Sequence, residues 1–330
     1  MFPKFFPQEI NLVKNSDLIF LAKNIKHYLT PTSLSNKEIA TAGIKLGTKG
    51  SPILLLHGLD SSILEFYSLI PLLSANRETW AIDLLGSGFT ERLSNIAYNP
   101  HTIREHLYSV WQTLIQRPVV LVGCSMGGAT AIDLTLFHPE IVEKLVLINS
   151  VGYSGIFPVK EILQKPIMKL LLEPIAELVV EDWRKRRIHQ LFWSQQLNLL
   201  NPEVKNAIRD IIKDIRLPNF LERKLDLLYP EAEDIIRCAI LPSYMPNWKK
   251  AFKSFVLSGG YDGIQESIHL INKPTLILWG EKDNILGTKA AFQFRETIIN
   301  SQLIWLSKAG HSPQIEQPKN LANHLLYFAK

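Results

Sequence analysis

The chain has 330 residues, 46% of them hydrophobic and 20% charged, with a formal net charge of +5. That composition belongs to a folded globular protein and excludes a disordered or collagen-like chain. Nine histidines, two cysteines (Cys124 and Cys238) and no CxxC pair exclude a disulfide framework and a cysteine-ligated metal module. No nucleic-acid motif is present, so no nucleic-acid partner is expected, and no metal or organic cofactor.

The chain opens with MFPKFFPQEINLVKNSDLIF. Lys4, Glu9, Lys14 and Asp17 interrupt its apolar residues, so it is not read as a signal peptide, and the protein is expected not to be secreted. No later stretch reaches the ~18 apolar residues of a membrane span. Residues 1–38 read as an N-terminal extension, with Phe2, Phe5 and Phe6 in a disordered tail rather than dipping into a membrane interface.

Short Val/Ile/Leu-rich runs then recur at residues 39–46, 52–57, 78–84, 118–124, 144–149, 274–279 and 302–306. These runs are continuous rather than alternating, as strands buried on both faces of a parallel sheet require. Helical periodicity lies between them at 65–74, 102–116, 126–138, 288–299 and 318–328. Strand and helix in alternation predict a doubly wound α/β core over residues 39–152 and 263–330. Residues 153–262 carry no buried strand and eight prolines. They read as a helical cap, with helices near 167–180 and 221–236. The basic run Trp183-Arg184-Lys185-Arg186-Arg187 reads as a solvated helix face, with anionic lipid as the sharper alternative.

The stretch Gly123-Cys124-Ser125-Met126-Gly127 joins a predicted strand to a predicted helix. A serine hydroxyl attacks nothing at neutral pH without a base, a group to orient that base, and donors for the oxyanion. A sharp strand-to-helix turn lifts such a serine clear of its backbone, and glycine at −2 and +2 (Gly123 and Gly127) avoids collisions across it. The partners should follow in the order acid, then histidine, each just past a later strand. "KPTLILWGEKDNI" offers Asp283, preferred over Glu281, and "QLIWLSKAGHSPQIEQP" offers His311. His57 and Gly58 end an earlier strand. There His57 reads as a structural hydrogen-bonder, and Gly58 lets the Leu59 N–H turn toward the reacting carbonyl beside that of Met126. Cys124 reads as a small core residue and Asp83 as the organiser of the Gly86–Gly88 turn. Leu171, Ile175, Phe252 and Phe255 are candidate wall residues for an apolar substrate.

With Ser125, Asp283, His311 and the His57-Gly58 turn in hand, the chain resembles the α/β-hydrolase family. The resemblance implies a mostly parallel sheet with a helical cap inserted after the sixth strand. The stretches "HGLDSSILEF", "ETWAIDLLGSGFTER", "RPVVLVGCSMGG", "SGGYDG" and "TLILWGEKDNI" narrow the likeness to the chlorophyll dephytylases. That likeness implies an apolar ester substrate, chlorophyll or a related pigment, split into chlorophyllide and phytol. It also implies a place in the cytoplasm or peripheral contact with a photosynthetic membrane. The same residues equally serve a general carboxylesterase or lipase on smaller acyl esters, and a hydrolase-fold binding protein would keep them without turnover.

Overall fold

The structure, a computed structural model, describes residues 1–153 and 230–330. The predicted helix at 167–180, the basic run at 183–187, and Leu171 and Ile175 lie outside the described residues.

Eight strands form one sheet: β1 (Lys26–Thr30), β2 (Ile39–Leu46), β3 (Ile53–Leu56), β4 (Thr79–Ile82), β5 (Val119–Cys124), β6 (Val142–Ile148), β7 (Thr275–Gly280) and β8 (Ser301–Leu306). Their spatial order is β1-β2-β4-β3-β5-β6-β7-β8. The β1–β2 and β2–β4 pairs are antiparallel and the rest parallel. The chain steps outward from β3 to β4, then crosses back over β3 to β5. The winding therefore reverses between β3 and β5, whose C-terminal ends mark the switch point at which folds of this kind place their sites.

The strand residues alternate between two cores. Leu54, Leu56, Leu121, Leu145, Leu147 and Ile277 face one layer, and Ile53, Leu55, Val120, Val122, Val146 and Leu278 face the other. Every residue of β3, β4, β5 and β7 is buried. That is why these strands read as unbroken apolar runs, each large side chain contributing roughly 1.5–3 kcal/mol by leaving water. Helices Pro100–Val110, Met126–Phe137 and Lys289–Thr297 cover the first face; Ser16–Asn24, Leu69–Ser74 and Pro318–Phe328 cover the second. Asn99 starts the first of these with a capping box to Thr102, ahead of Pro100. The α-helix ends at Val110, short of the predicted 116, and a π-helical turn, Trp111–Ile115, completes the segment.

The N-terminal segment departs from expectation. It is ordered: Phe6, Ile10, Val13, Leu18 and Leu21 are buried in the second core. Phe6 packs against Phe89 with ring centroids 4.4 Å apart, and Phe5 stacks on His27 at 3.8 Å. Residues 26–30 form an edge strand of the sheet, which thus begins before residue 39. The Asp234 carboxylate accepts the Lys14 N–H at 2.7 Å and also the Asn15 N–H, tying this segment to helix Pro230–Ile240.

His106, on the first of the helices, is buried, and its Nε2 meets Thr41 Oγ1 at 3.1 Å. Its Nδ1 finds no partner. Burial lowers its pKa to about 4. The unfolded chain binds a proton on this ring below about pH 6.5, and the folded chain does not until about pH 4. Stability from this residue is therefore full above about pH 6.5 and is lost on acidification. The wild type should lose about 2 kcal/mol more than His106→Gln between pH 7.5 and pH 5. Urea unfolding at the two pH values checks this, and equal losses would show that the ring is not held neutral.

Candidate active site

The loops that carry His57, Ser125, Asp283 and His311 leave the sheet at the same edge. His57 follows β3, Ser125 follows β5, Asp283 follows β7 and His311 follows β8, and Asn149 follows β6 at that edge too.

Ser125 stands between β5 and helix Met126–Phe137 at φ 52°, ψ −118°, a conformation that costs an L residue on the order of 1–3 kcal/mol. Three hydrogen bonds of 3.0 Å hold it there. Its N–H donates to the Ile148 carbonyl, and its own carbonyl accepts from Gly128 and Val151. The flanking glycines are sterically required. A Cβ on Gly123 would sit 2.2 Å from the Gly127 carbonyl oxygen, and one on Gly127 would sit 2.2 Å from that of Leu56. Strand, turn and helix thus meet backbone to backbone. The hydroxyl is left partly exposed at the N-terminal end of a buried helix, where the macrodipole is positive.

The His311 Nε2 lies 3.1 Å from Ser125 Oγ, and its Nδ1 lies 2.9 Å from Asp283 Oδ2. The Asp283 carboxylate is fully buried, while the imidazole keeps 15% exposure. The second oxygen of Asp283 accepts N–H groups from Ile285 (2.9 Å) and Leu286 (3.1 Å), so the acid is aimed by its own loop. With Nδ1–H donating to Asp283, the Nε2 lone pair faces the serine hydroxyl. This geometry can move a proton from oxygen to imidazole. Glu281, the rival acid, is exposed, and its carboxylate accepts the Lys308 N–H at 3.4 Å.

His57 is buried; its Nδ1–H donates to the Gly58 carbonyl at 2.7 Å, and its Nε2 accepts the Leu84 N–H at 3.1 Å. Both ring nitrogens are thereby engaged in shaping the turn that carries Leu59. Gly58 lies against Ser125, where a Cβ would be 3.5 Å from the serine Cβ. Met126 is the first helical residue, so its amide has no partner within the helix. Asp83 accepts from Ile63 and Phe89 at 2.6 and 2.7 Å; Gly88, at φ 51°, leaves it room. Complete burial raises the Asp83 carboxyl to about 7 against those donors and Arg92. Burial, with Glu65 nearby, raises the Cys124 thiol well above its ordinary value, so it is no thiolate at neutral pH. Among the described residues no three His, Cys, Asp or Glu side chains converge as a metal would require.

Phe252 and Phe255 lie on helix Trp248–Leu257 and are buried, stacked on Trp248 and tilted against Tyr261 respectively. Trp248 donates its indole N–H to Asp60 at 2.8 Å, which fastens this helix to the turn after Gly58. Sequence reasoning passed over Trp248 and Asp60. It also passed over Asn149, whose amide donates to the Gly310 carbonyl and accepts the Gly280 N–H, each at 2.8 Å. Glu65, which accepts from Gly58 at 3.4 Å and from Gln314 at 3.3 Å, was likewise not singled out. For Asp60 and Asn149 the signal is position alone, each within a few residues of a strand end at this edge, and Trp248 and Glu65 carry none.

The α/β-hydrolase fold family model matches residues 51–318. The α/β-hydrolase domain-containing protein VTE7 of Arabidopsis thaliana is 32% identical, over 99% of this chain and 90% of that protein. The 2-hydroxymuconate semialdehyde hydrolase of a Pseudomonas species is 27% identical over 87% of this chain and 91% of its own. Among solved structures, a meta-cleavage product hydrolase from Pseudomonas fluorescens shares the fold with a TM-score of 0.61 at 22% identity. It covers 91% of this chain and 97% of its own.

Alanine at Gly127 should cost ~3 kcal/mol or more, because its Cβ meets a backbone oxygen that nothing lets move. Alanine at Gly259, at φ 81° with open space around it, should cost on the order of 1 kcal/mol. Denaturant unfolding of the two variants separates steric exclusion from backbone strain; equal costs would remove the close-packed turn from the account.

Proposed function

The chain belongs to the α/β-hydrolase fold family, and we propose that within it the protein is a serine hydrolase that cleaves a carboxylic ester through an acyl-enzyme. The observation that carries this reading is the unbroken line from Ser125 Oγ through His311 to the buried Asp283, at 3.1 and 2.9 Å.

Ser125 Oγ attacks the ester carbonyl as its proton passes to His311 Nε2. Asp283 orients the ring and stabilises the imidazolium. The N–H groups of Leu59 and Met126 receive the oxyanion; removing one such donor typically costs ~10²–10³ in rate. Collapse breaks the bond to the alcohol oxygen, which leaves with the proton from His311. Water then enters, gives a proton to His311 and attacks the acyl carbonyl, and the second collapse returns that proton to Ser125.

For the substrate, the proposed ester is the phytyl ester of chlorophyll or a related pigment. Support comes from the five sequence stretches that resemble the dephytylases. Helix Trp248–Leu257, joined to the turn after Gly58 through Trp248 and Asp60, would flank the long alcohol chain. A second reading, hydrolysis of smaller acyl esters, is favoured by one observation. Phe252 and Phe255 retain only 5% and 6% exposure, so their rings are used in packing.

Ser125→Ala should lower turnover by ~10⁴-fold or more while leaving the thermal unfolding midpoint near that of the wild type. Purified protein incubated with chlorophyll, pheophytin and a nitrophenyl butyrate separates the substrates. Release of phytol supports the pigment ester, and cleavage of the short ester alone moves the assignment to small acyl esters. If no ester is cleaved and a fluorophosphonate probe leaves Ser125 unlabelled, the protein is a binding protein of this fold.

A further inference from the structure

His311 sits on a loop between β8 and the short helix Pro313–Glu316, and nothing in its ring contacts explains why that loop holds still. The backbone does. The amides on either side of His311 both point at one carboxylate. Gly310 N–H donates to Glu316 Oε2 at 2.6 Å, and Ser312 N–H donates to Glu316 Oε1 at 3.1 Å. The Glu316 N–H itself donates to the Ser312 carbonyl at 2.9 Å, closing a ring of hydrogen bonds around the histidine. From the opposite side the Gly310 carbonyl accepts from Asn149. A Cβ on Gly280 would lie 2.1 Å from that same carbonyl oxygen, so the acid loop and the histidine loop touch there.

We propose that Glu316 is a positioning residue for His311: its two oxygens grip the flanking amides and fix the imidazole between Ser125 and Asp283. The assignment rests on the reading of His311 as the general base. Two acceptors are needed for two donors one residue apart on each side of the ring. Glutamine offers one acceptor and turns an NH₂ toward the other N–H, alanine offers none, and aspartate is one methylene short. Loss of the grip lets water take both amides and the loop drift. A displacement of about 1 Å costs on the order of 10²-fold in rate.

The test compares wild type, Glu316→Gln and Glu316→Ala with nitrophenyl butyrate, alongside the far-downfield proton resonance of a histidine Nδ1–H bonded to a carboxylate. By that reasoning kcat should fall roughly 10²-fold in the alanine variant and roughly 10-fold in the glutamine variant, with KM within about twofold. The resonance should broaden in Glu316→Ala and persist in the wild type. Should the alanine variant not fold, the intermediate behaviour of Glu316→Gln carries the same comparison. Wild-type kcat with an undisturbed resonance in either variant overturns the assignment. A wild type that turns over no ester is a failure of the hydrolase reading instead, and the resonance alone then judges Glu316.

Discussion

The conformation of Ser125 is the constraint on which the rest depends. A residue at φ 52°, ψ −118° is unfavourable on its own, and this chain holds it by removing every alternative. Gly123 and Gly127 bring β3, β5 and the following helix within backbone contact, and three backbone hydrogen bonds pin the turn. The helix that follows is buried over nearly its whole length, so it cannot shift to relieve the strain. Two apolar layers, one on each face of the sheet, supply the free energy that offsets it.

Around this fixed serine, polar side chains aim the loops at the C-terminal edge of the sheet. Asp83 takes two backbone amides beside the turn that carries Leu59, and His57 bridges that turn to Leu84. Asp283 uses one oxygen for its own loop and the other for His311. Asn149 joins the acid loop to the histidine loop, and Trp248 with Asp60 brings the end of the insertion onto the same edge. Apart from the Trp248–Asp60 and Asp283–His311 pairs, these struts accept or donate at backbone groups, and a buried one left unmade costs about 1–3 kcal/mol.

The central strands were legible because burial on both faces writes a continuous apolar run, as in "PVVLVGC". Ser125, Asp283 and His311 were legible because the turn requires glycines and the partners must follow later strands. β1 was missed: KHYLT is an edge strand with a half-exposed face, so its pattern carries no continuous apolar run. The leading aromatics read as a tail because the Phe89 and His27 that receive them are distant in sequence. Asn149 and Glu316 were passed over, the first as the last residue of a predicted strand and the second as a residue ahead of the predicted helix at 318–328. Both act on backbone groups, Asn149 between two other loops and Glu316 within its own segment, and such contacts leave no periodicity to read.

The central claim is that one hydroxyl, Ser125 Oγ, becomes covalently acylated. Peptide mass spectrometry on the chain, acid-quenched within milliseconds of mixing with nitrophenyl acetate, tests it most directly. The account expects an acetyl group on the peptide that holds both Cys124 and Ser125, assigned by fragmentation to the serine and gone once the ester is exhausted. An adduct on Cys124, or steady release of nitrophenol with no adduct on Ser125 at any time, would contradict it.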